Sequence, residues 1–278
     1  MRIVPRPRIA TLPLLAILLV ASAATLAAHD TWLVPDSGFV VPHAMVRLHL
    51  TSGDAFPVDD FAIDRKRIRG AWMRLAGTRS PLAVEAPAER HLALTARADR
   101  EGVATLWVAL APKSLELTDA KVTEYLDDIA ATATVRRRWD AMPAPRRWRE
   151  TYTKHAKSFV RVGEPAHDRT WATPVGLGLE IVPERDPTTV QTGDTIRVRV
   201  LSHGAPVAAL PIGFQHEGDT ATGMRTTSGD GRAWFVLGAA GRWLIKATDL
   251  RPSRRPNEEW QSDFTTLTIA VRAHGSAR

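Results

Sequence analysis

Seven short β-prone runs follow one another between Pro174 and Val271, and they constrain the fold more than any other feature of the chain. They cover 177–182, 195–201, 207–214, 224–227, 232–237, 242–248 and 264–271. Apolar and polar residues alternate cleanly in Ile196-Arg197-Val198-Arg199-Val200, the period that buries one face of a strand. Ser228-Gly229-Asp230-Gly231 supplies residues that tolerate positive φ and reads as a hairpin turn. Seven strands in about a hundred residues is the count of an immunoglobulin-like sandwich. Strands and turns are complete within 174–273, so this stretch reads as a unit able to fold alone, with 274–278 as a tail.

An N-terminal β-rich lobe is expected over 29–115. Val46-Arg47-Leu48-His49-Leu50 alternates, and further β-prone runs at 71–75, 91–95 and 104–109 are separated by Gly, Pro and Asp. Between the lobes, 116–173 reads as a helical connecting segment with a return strand. Thr118 is a plausible N-cap, and Val122, Tyr125, Leu126, Ile129 and Ala133 fall on one helical face. Arg136 to Arg138 suit the helix C-terminus, and Pro143 stops it. Trp148, Tyr152 and Ala156 then resume a four-residue spacing before Phe159-Val160-Arg161-Val162 turns strand-like. The expected class is mainly β: two β-sandwich-like lobes, the C-terminal one immunoglobulin-like, joined by a helical segment. The tryptophans suit the cores and edges of such sheets.

Residues 1–28 read as a secretory signal peptide. Arg2, Arg6 and Arg8 precede an apolar run from Leu12 to Leu26, and small residues crowd its end up to Ala28. This grammar fits a cleaved signal better than an uncleaved anchor, with the cut between about Ala27 and His29 and the product in the periplasm. The segment holds three arginines and no acid, so the formal charge falls from +7 to +4 without it. The clusters Arg65-Lys66-Arg67, Arg136-Arg137-Arg138 and Arg146-Arg147 come with no nucleic-acid recognition motif, and they read as solvated faces. Cysteine is absent, which removes thiolate metal sites and cysteine nucleophiles. Any metal must be held by nitrogen and oxygen.

Common catalytic signatures, including G-x-S-x-G, H-E-x-x-H and the phosphate-binding glycine loops, are missing. His29 stands out instead. A cut after Ala28 would put an α-amine and an imidazole on one residue, a two-nitrogen chelate for Ni²⁺, Co²⁺ or Cu²⁺. The alternative is an ordinary polar residue entering the first strand. Asp30 is the nearest oxygen donor. The remaining histidines show no i, i+2 or i, i+4 spacing, and each alone reads as a surface or packed residue.

A series of segments runs in order along the chain: His29-Asp30-Thr31-Trp32-Leu33-Val34-Pro35, Gly53-Asp54-Ala55-Phe56-Pro57 and Arg149-Glu150-Thr151-Tyr152-Thr153-Lys154. It continues through Gly176-Leu177-Gly178-Leu179-Glu180-Ile181, Gly229-Asp230-Gly231-Arg232 and Gly241-Arg242-Trp243-Leu244. In these segments the chain resembles a domain-of-unknown-function family labelled as a NikM-like periplasmic component of cobalt or nickel uptake systems. The resemblance implies a periplasmic β-sandwich protein that handles transition metal, with a membrane uptake transporter as partner. In the family pattern, Asp54 and Asp249 stand where relatives carry histidine, and both join His29 and Asp30 as expected ligands. The expected function is a nickel- or cobalt-binding or delivery accessory, by binding rather than turnover. The rivals are an exported protein- or carbohydrate-interaction module and a hydrolase with a dispersed site.

Overall fold

The computed structural model describes residues 29–164 and 167–275. The signal segment and the end of the tail lie outside the described residues. The N-terminal half contributes β1 (Asp30–Pro35), β2 (Phe39–Val40), β3 (Met45–Gly53), β4 (Phe61–Ala62) and β5 (Ile68–Leu75). β6 (Thr78–Pro81), β7 (Ala83–Pro87), β8 (Leu92–Arg97), β9 (Gly102–Leu110) and β10 (Lys113–Leu117) follow. Two helices, α1 (Asp119–Asp128) and α2 (Ala133–Asp140), precede the long β11 (Trp148–Val162). The C-terminal half holds β12 (Leu179–Pro183), β13 (Thr195–Ser202), β14 (Ala205–Pro206) and β15 (Pro211–His216). It ends with β16 (Gly223–Thr226), β17 (Arg232–Val236), β18 (Gly241–Pro252) and β19 (Trp260–Val271).

These strands make three sheets in two sandwich lobes, and the class is mainly β as expected. β1, β3, β8 and β7 form an outer sheet over the N-terminal lobe, with β4 on the edge of β3. β12, β13, β14 and β17 form the outer sheet of the C-terminal, immunoglobulin-like lobe. A ten-stranded sheet runs behind both, ordered β16-β15-β18-β19-β11-β9-β5-β6, with β10 and β2 also pairing with β11. β11 is the splice: it pairs in parallel with β19 along Glu150–Ser158 and antiparallel with β9 along Phe159–Val162.

Alternation along β11 sorts its side chains between the two lobes. Ala156, Val160 and Val162 enter the N-terminal core, while Phe159 faces the other way into the C-terminal core. Val103 of β9 joins Phe159 there, beside Ile196, Val198, Phe235 and Leu267. The strands expected between 177 and 271 are all present, and their core is completed from outside that stretch by Val103 and Phe159, with Trp171 packed against it.

Three local expectations differ in the structure. The single helix from Thr118 is two helices, broken around Ala130, whose φ is +49°. Thr132 recaps the second one, accepting from Val135 N at 3.4 Å. Arg136 donates to Ala131 O at 3.2 Å and to Leu126 O at 2.8 Å, which also accepts from Ala131 N, and so ties the second helix to the end of the first. The four-residue spacing of Trp148, Tyr152 and Ala156 belongs to β11, because four is also a multiple of the strand period. The turn at Ser228–Gly231 forms, with Gly231 at φ +79°, but it carries the chain from the shared sheet to the outer one and makes no hairpin.

The helices pack over the end of β11 in a third cluster. Val122, Tyr125, Leu126 and Trp139 meet Trp148 and Trp260, which stack with centroids 4.7 Å apart. Glu150 lies fully buried among them and accepts from Tyr125 Oη and Trp148 Nε1, each at 2.8 Å, and from Ser262 Oγ.

Candidate metal centre

β3 and β8 pair antiparallel, with His49 opposite Ala93 and Leu50 opposite Leu92. Leu48, Leu50, Leu92 and Leu94 point into the N-terminal core. Period-two alternation therefore sends His49 and His91, the residue before β8, to the outer face as diagonal neighbours. Their rings stack with centroids 3.8 Å apart and planes 7° from parallel. The connection from β3 to β4 crosses the same face and brings Asp59 to both rings. Thr51 fixes this arrangement, since its Oγ1 accepts from Asp60 N at 3.1 Å and donates to Arg90 O at 2.8 Å. One hydroxyl thus anchors the neighbours of Asp59 and of His91.

Asp59 Oδ2 lies 2.9 Å from Nδ1 of His49 and 2.9 Å from Nδ1 of His91. All three ligand atoms fall within 4.8 Å of one another. Four ligands at zinc-like bond lengths on a tetrahedron stand about 3.3 Å apart, so this triangle has the spacing of a ligand set that could hold an ion. Asp36 Oδ1 sits 3.6 Å from His49 Nε2, on the far side of the ring from the triangle. A carboxylate there can orient a ligating imidazole. The side chains of His49, Asp59 and His91 are 38%, 26% and 22% exposed, which leaves water or a further donor free to complete the shell.

The four residues expected from sequence divide differently. His29 and Asp54 meet, with Nε2 and Oδ2 3.2 Å apart. The His29 ring is buried, stacks on Phe61 at 5.1 Å, and its Nδ1 has no hydrogen-bond partner among the described residues. Its carbonyl accepts from the buried Lys154 Nζ at 2.5 Å. Asp30 is engaged by Lys246 Nζ at 2.5 Å. Asp249 is not brought to this group. On β18, Ala247 and Asp249 face the C-terminal outer sheet, where Asp249 accepts from Ser202 at 3.2 Å and from Arg251 at 3.1 Å. Leu244, two pleats away on the opposite face, meets Trp32 of β1. A residue odd in register with Lys246 cannot share its face.

A cleft of about 240 Å³ opens beside Asp30, lined also by Asp127, Asp128 and Lys246. Burial, reinforced by the carboxylates of Glu124, Asp54 and Asp127, holds Asp128 above the usual carboxylate range. Carboxylates thus gather near His29 and Asp54, offset in part by Lys154 and Lys246, while the donor set of the pair stops at one imidazole and one carboxylate.

His49, Asp59 and His91 escaped the sequence reading, which searched for histidines within one strand or helix. The signal that reveals them is the register of β3 against β8, and the sequence does not print it.

The fold is similar to several solved structures. These include the D0–D1 domain of intimin, at 12% identity and a TM-score of 0.21, covering 86% of this chain and 97% of that one. Another is the adhesin InvE of Yersinia pseudotuberculosis, at 11% identity and a TM-score of 0.24, covering 88% and 63%. Murine CEACAM1b is a third, at 10% identity and a TM-score of 0.21, covering 88% and 100%. No curated protein matches the chain in sequence. Residues 26–249 match a domain of unknown function, DUF4198, and this chain belongs to that family.

Proposed function

We propose that the protein is an exported accessory that binds one divalent transition-metal ion and passes it on, with His49, Asp59 and His91 as its ligands. The observation that carries this reading is the single Asp59 oxygen held 2.9 Å from Nδ1 of two stacked imidazoles. Two imidazoles and one carboxylate suit the nitrogen-preferring ions Ni²⁺, Co²⁺, Cu²⁺ and Zn²⁺ far better than Mg²⁺ or Ca²⁺. The resemblance to cobalt and nickel uptake components favours Ni²⁺ or Co²⁺ within that group. Open coordination positions favour exchange over permanent storage. In this reading, segment 1–28 takes the protein to the periplasm, and the recipient is a membrane uptake transporter. His29 and Asp54 form a weaker second grip, strengthened only where cleavage frees the His29 amine.

Calorimetric titration of the mature protein with Ni²⁺ and Co²⁺ tests the proposal. One equivalent should bind, and His49→Ala, His91→Ala and Asp59→Asn should each reduce affinity at least about tenfold to a hundredfold. His29→Ala should leave the stoichiometry at this centre intact. Unchanged binding in the three ligand variants would sink the reading, as would loss in His29→Ala alone.

A further inference from the structure

The outer face of the C-terminal lobe carries a separate concentration of chemistry. Burial alternates strictly in β17: Ala233 and Phe235 enter the core, and Arg232, Trp234 and Val236 face out. Trp234 is 52% exposed, an unusual position for the residue with the most apolar surface to lose. Directly opposite on β13 stand Arg197, across from Trp234, and Arg199, across from Arg232. Arg225 reaches over from β16, at the edge of the shared sheet, and its guanidinium carbon lies 5.5 Å from the centre of the Trp234 ring. The two sheet edges meet here around a cleft of about 270 Å³.

Folding does not explain this grouping. Like charges directly opposed on paired strands are destabilising. Arg232 is neutralised by Glu184 and Asp230. Among the described residues, no carboxylate pairs with Arg197, Arg199 or Arg225, and Arg199 Nε is buried without a hydrogen-bond partner. The surface thus offers an open indole face and a surplus of guanidinium donors. Arg recognises carboxylate in bidentate fashion, and an indole face accepts a ring that is apolar on one side. Glu184, Thr226 and Ser228 also line the cleft; Ser228 Oγ is engaged by Asp230 and Arg232, and Thr226 with the second oxygen of Glu184 can meet hydroxyl groups. A ligand with a flat apolar face, an anionic group and several hydroxyls satisfies all three. Single-stranded nucleic acid shares the stacking and the charge, but it calls for a series of aromatic platforms along a basic groove. Here there is one platform, and acidic groups stand beside it.

We propose that this cleft binds acidic saccharide, with Trp234 stacking on the ring of a uronic-acid residue and Arg197 and Arg225 holding its carboxylate. This site is independent of the metal centre. Calorimetry of the full mature chain with oligogalacturonate and with an alginate oligosaccharide tests it, using a neutral galactose oligomer, polyglutamate and oligodeoxythymidylate as comparisons. At least one acidic saccharide should bind about tenfold or more tightly than the neutral oligomer and both other polyanions. Trp234→Ala and Arg197→Gln should each weaken that binding about tenfold without changing the melting temperature, because both side chains are exposed. His49→Ala should leave it unaltered. Binding of neither acidic saccharide, equal binding of polyglutamate or oligodeoxythymidylate, or undiminished binding by Trp234→Ala would each overturn the assignment.

Discussion

His49 and His91 stack face to face, ring centroids 3.8 Å apart, and turn the same nitrogen, Nδ1, toward one oxygen of Asp59. A ring pair aimed in parallel at one anion has both lone pairs available to a single ion once the protons leave. Folding and metal binding should therefore be linked at this point. An ion that binds only the folded state at a hundred times its dissociation constant adds about 2.7 kcal/mol of stability. We expect Ni²⁺ or Co²⁺ to raise the melting temperature of the wild-type protein and chelator to reverse the rise. The double variant His49→Ala/His91→Ala should show neither effect in the same scanning calorimetry.

Glu150 gives a second test, of the helical layer. Its carboxylate accepts from Tyr125, Trp148 and Ser262, which belong to α1, β11 and β19. Burial pushes its pKa up, and those three donors pull it back. Glu150→Ala leaves three buried donors unmatched, at about 1–3 kcal/mol each, so urea denaturation should report a loss of at least about 3 kcal/mol. Glu150→Gln keeps one oxygen for Tyr125 and Ser262 but turns an amide N–H toward the Trp148 donor, so it should lose about 1–3 kcal/mol, less than Glu150→Ala. Equal losses in the two variants would contradict this account of the pocket.

The splice made by β11 predicts how the lobes unfold. Phe159 belongs to the C-terminal core although it lies before that lobe in sequence, and β19 depends on β11 for its parallel partner. Phe159→Ala should cost about 3–5 kcal/mol, the range for a deleted core aromatic. Calorimetry of the full chain should give one transition rather than two. Expressed alone, 174–273 loses Phe159, Val103 and the β11 pairing, and it should show a broad melt at lower temperature. A sharp melt at the full-chain temperature would show that the lobe closes without them.

Much of this architecture was legible in the residues, for identifiable reasons. The C-terminal strands could be read because Ile196, Val198 and Val200 alternate with charged residues and turns punctuate the runs. The end of β11 was read as strand at Phe159–Val162, but its first part was hidden, because Glu150 and Lys154 are buried on the same strand as Trp148 and Tyr152 and its pattern is not apolar where it is buried. The pairing of His29 with Asp54 was visible through family likeness, and that likeness could not say that Asp249 lies across the sheet. The His49–Asp59–His91 triangle needs the pairing of β3 with β8 and the path of a loop. Both are properties of tertiary structure, and neither leaves a spacing to find.

Lys154 supplies the last prediction. Its side chain is buried on the sheet, with Nζ 5.6 Å and 5.4 Å from the ring centres of Tyr152 and Phe264, and it donates to the His29 carbonyl. Burial is the main cause that brings its pKa down to about 8, with Arg67 and Lys113 adding to it and Asp30 and Glu150 opposing. An unfolded lysine titrates near 10.4. Between those values the unfolded chain binds the proton and the folded chain does not, so stability rises with pH. The cost of the buried charge is present in full below about pH 8 and is relieved progressively toward pH 10, by up to about 3 kcal/mol. Above pH 10 the trend should reverse, because Tyr125 and Tyr152 hold their protons more firmly when folded. Lys157 is also pulled down by burial, but Glu180 lies 2.8 Å from it and opposes the shift. Urea denaturation at pH 7, 8, 9 and 10 should therefore show a climb in wild type that Lys154→Met largely abolishes. A flat profile in wild type, or the same climb in the variant, would mean that Lys154 is not the group responsible.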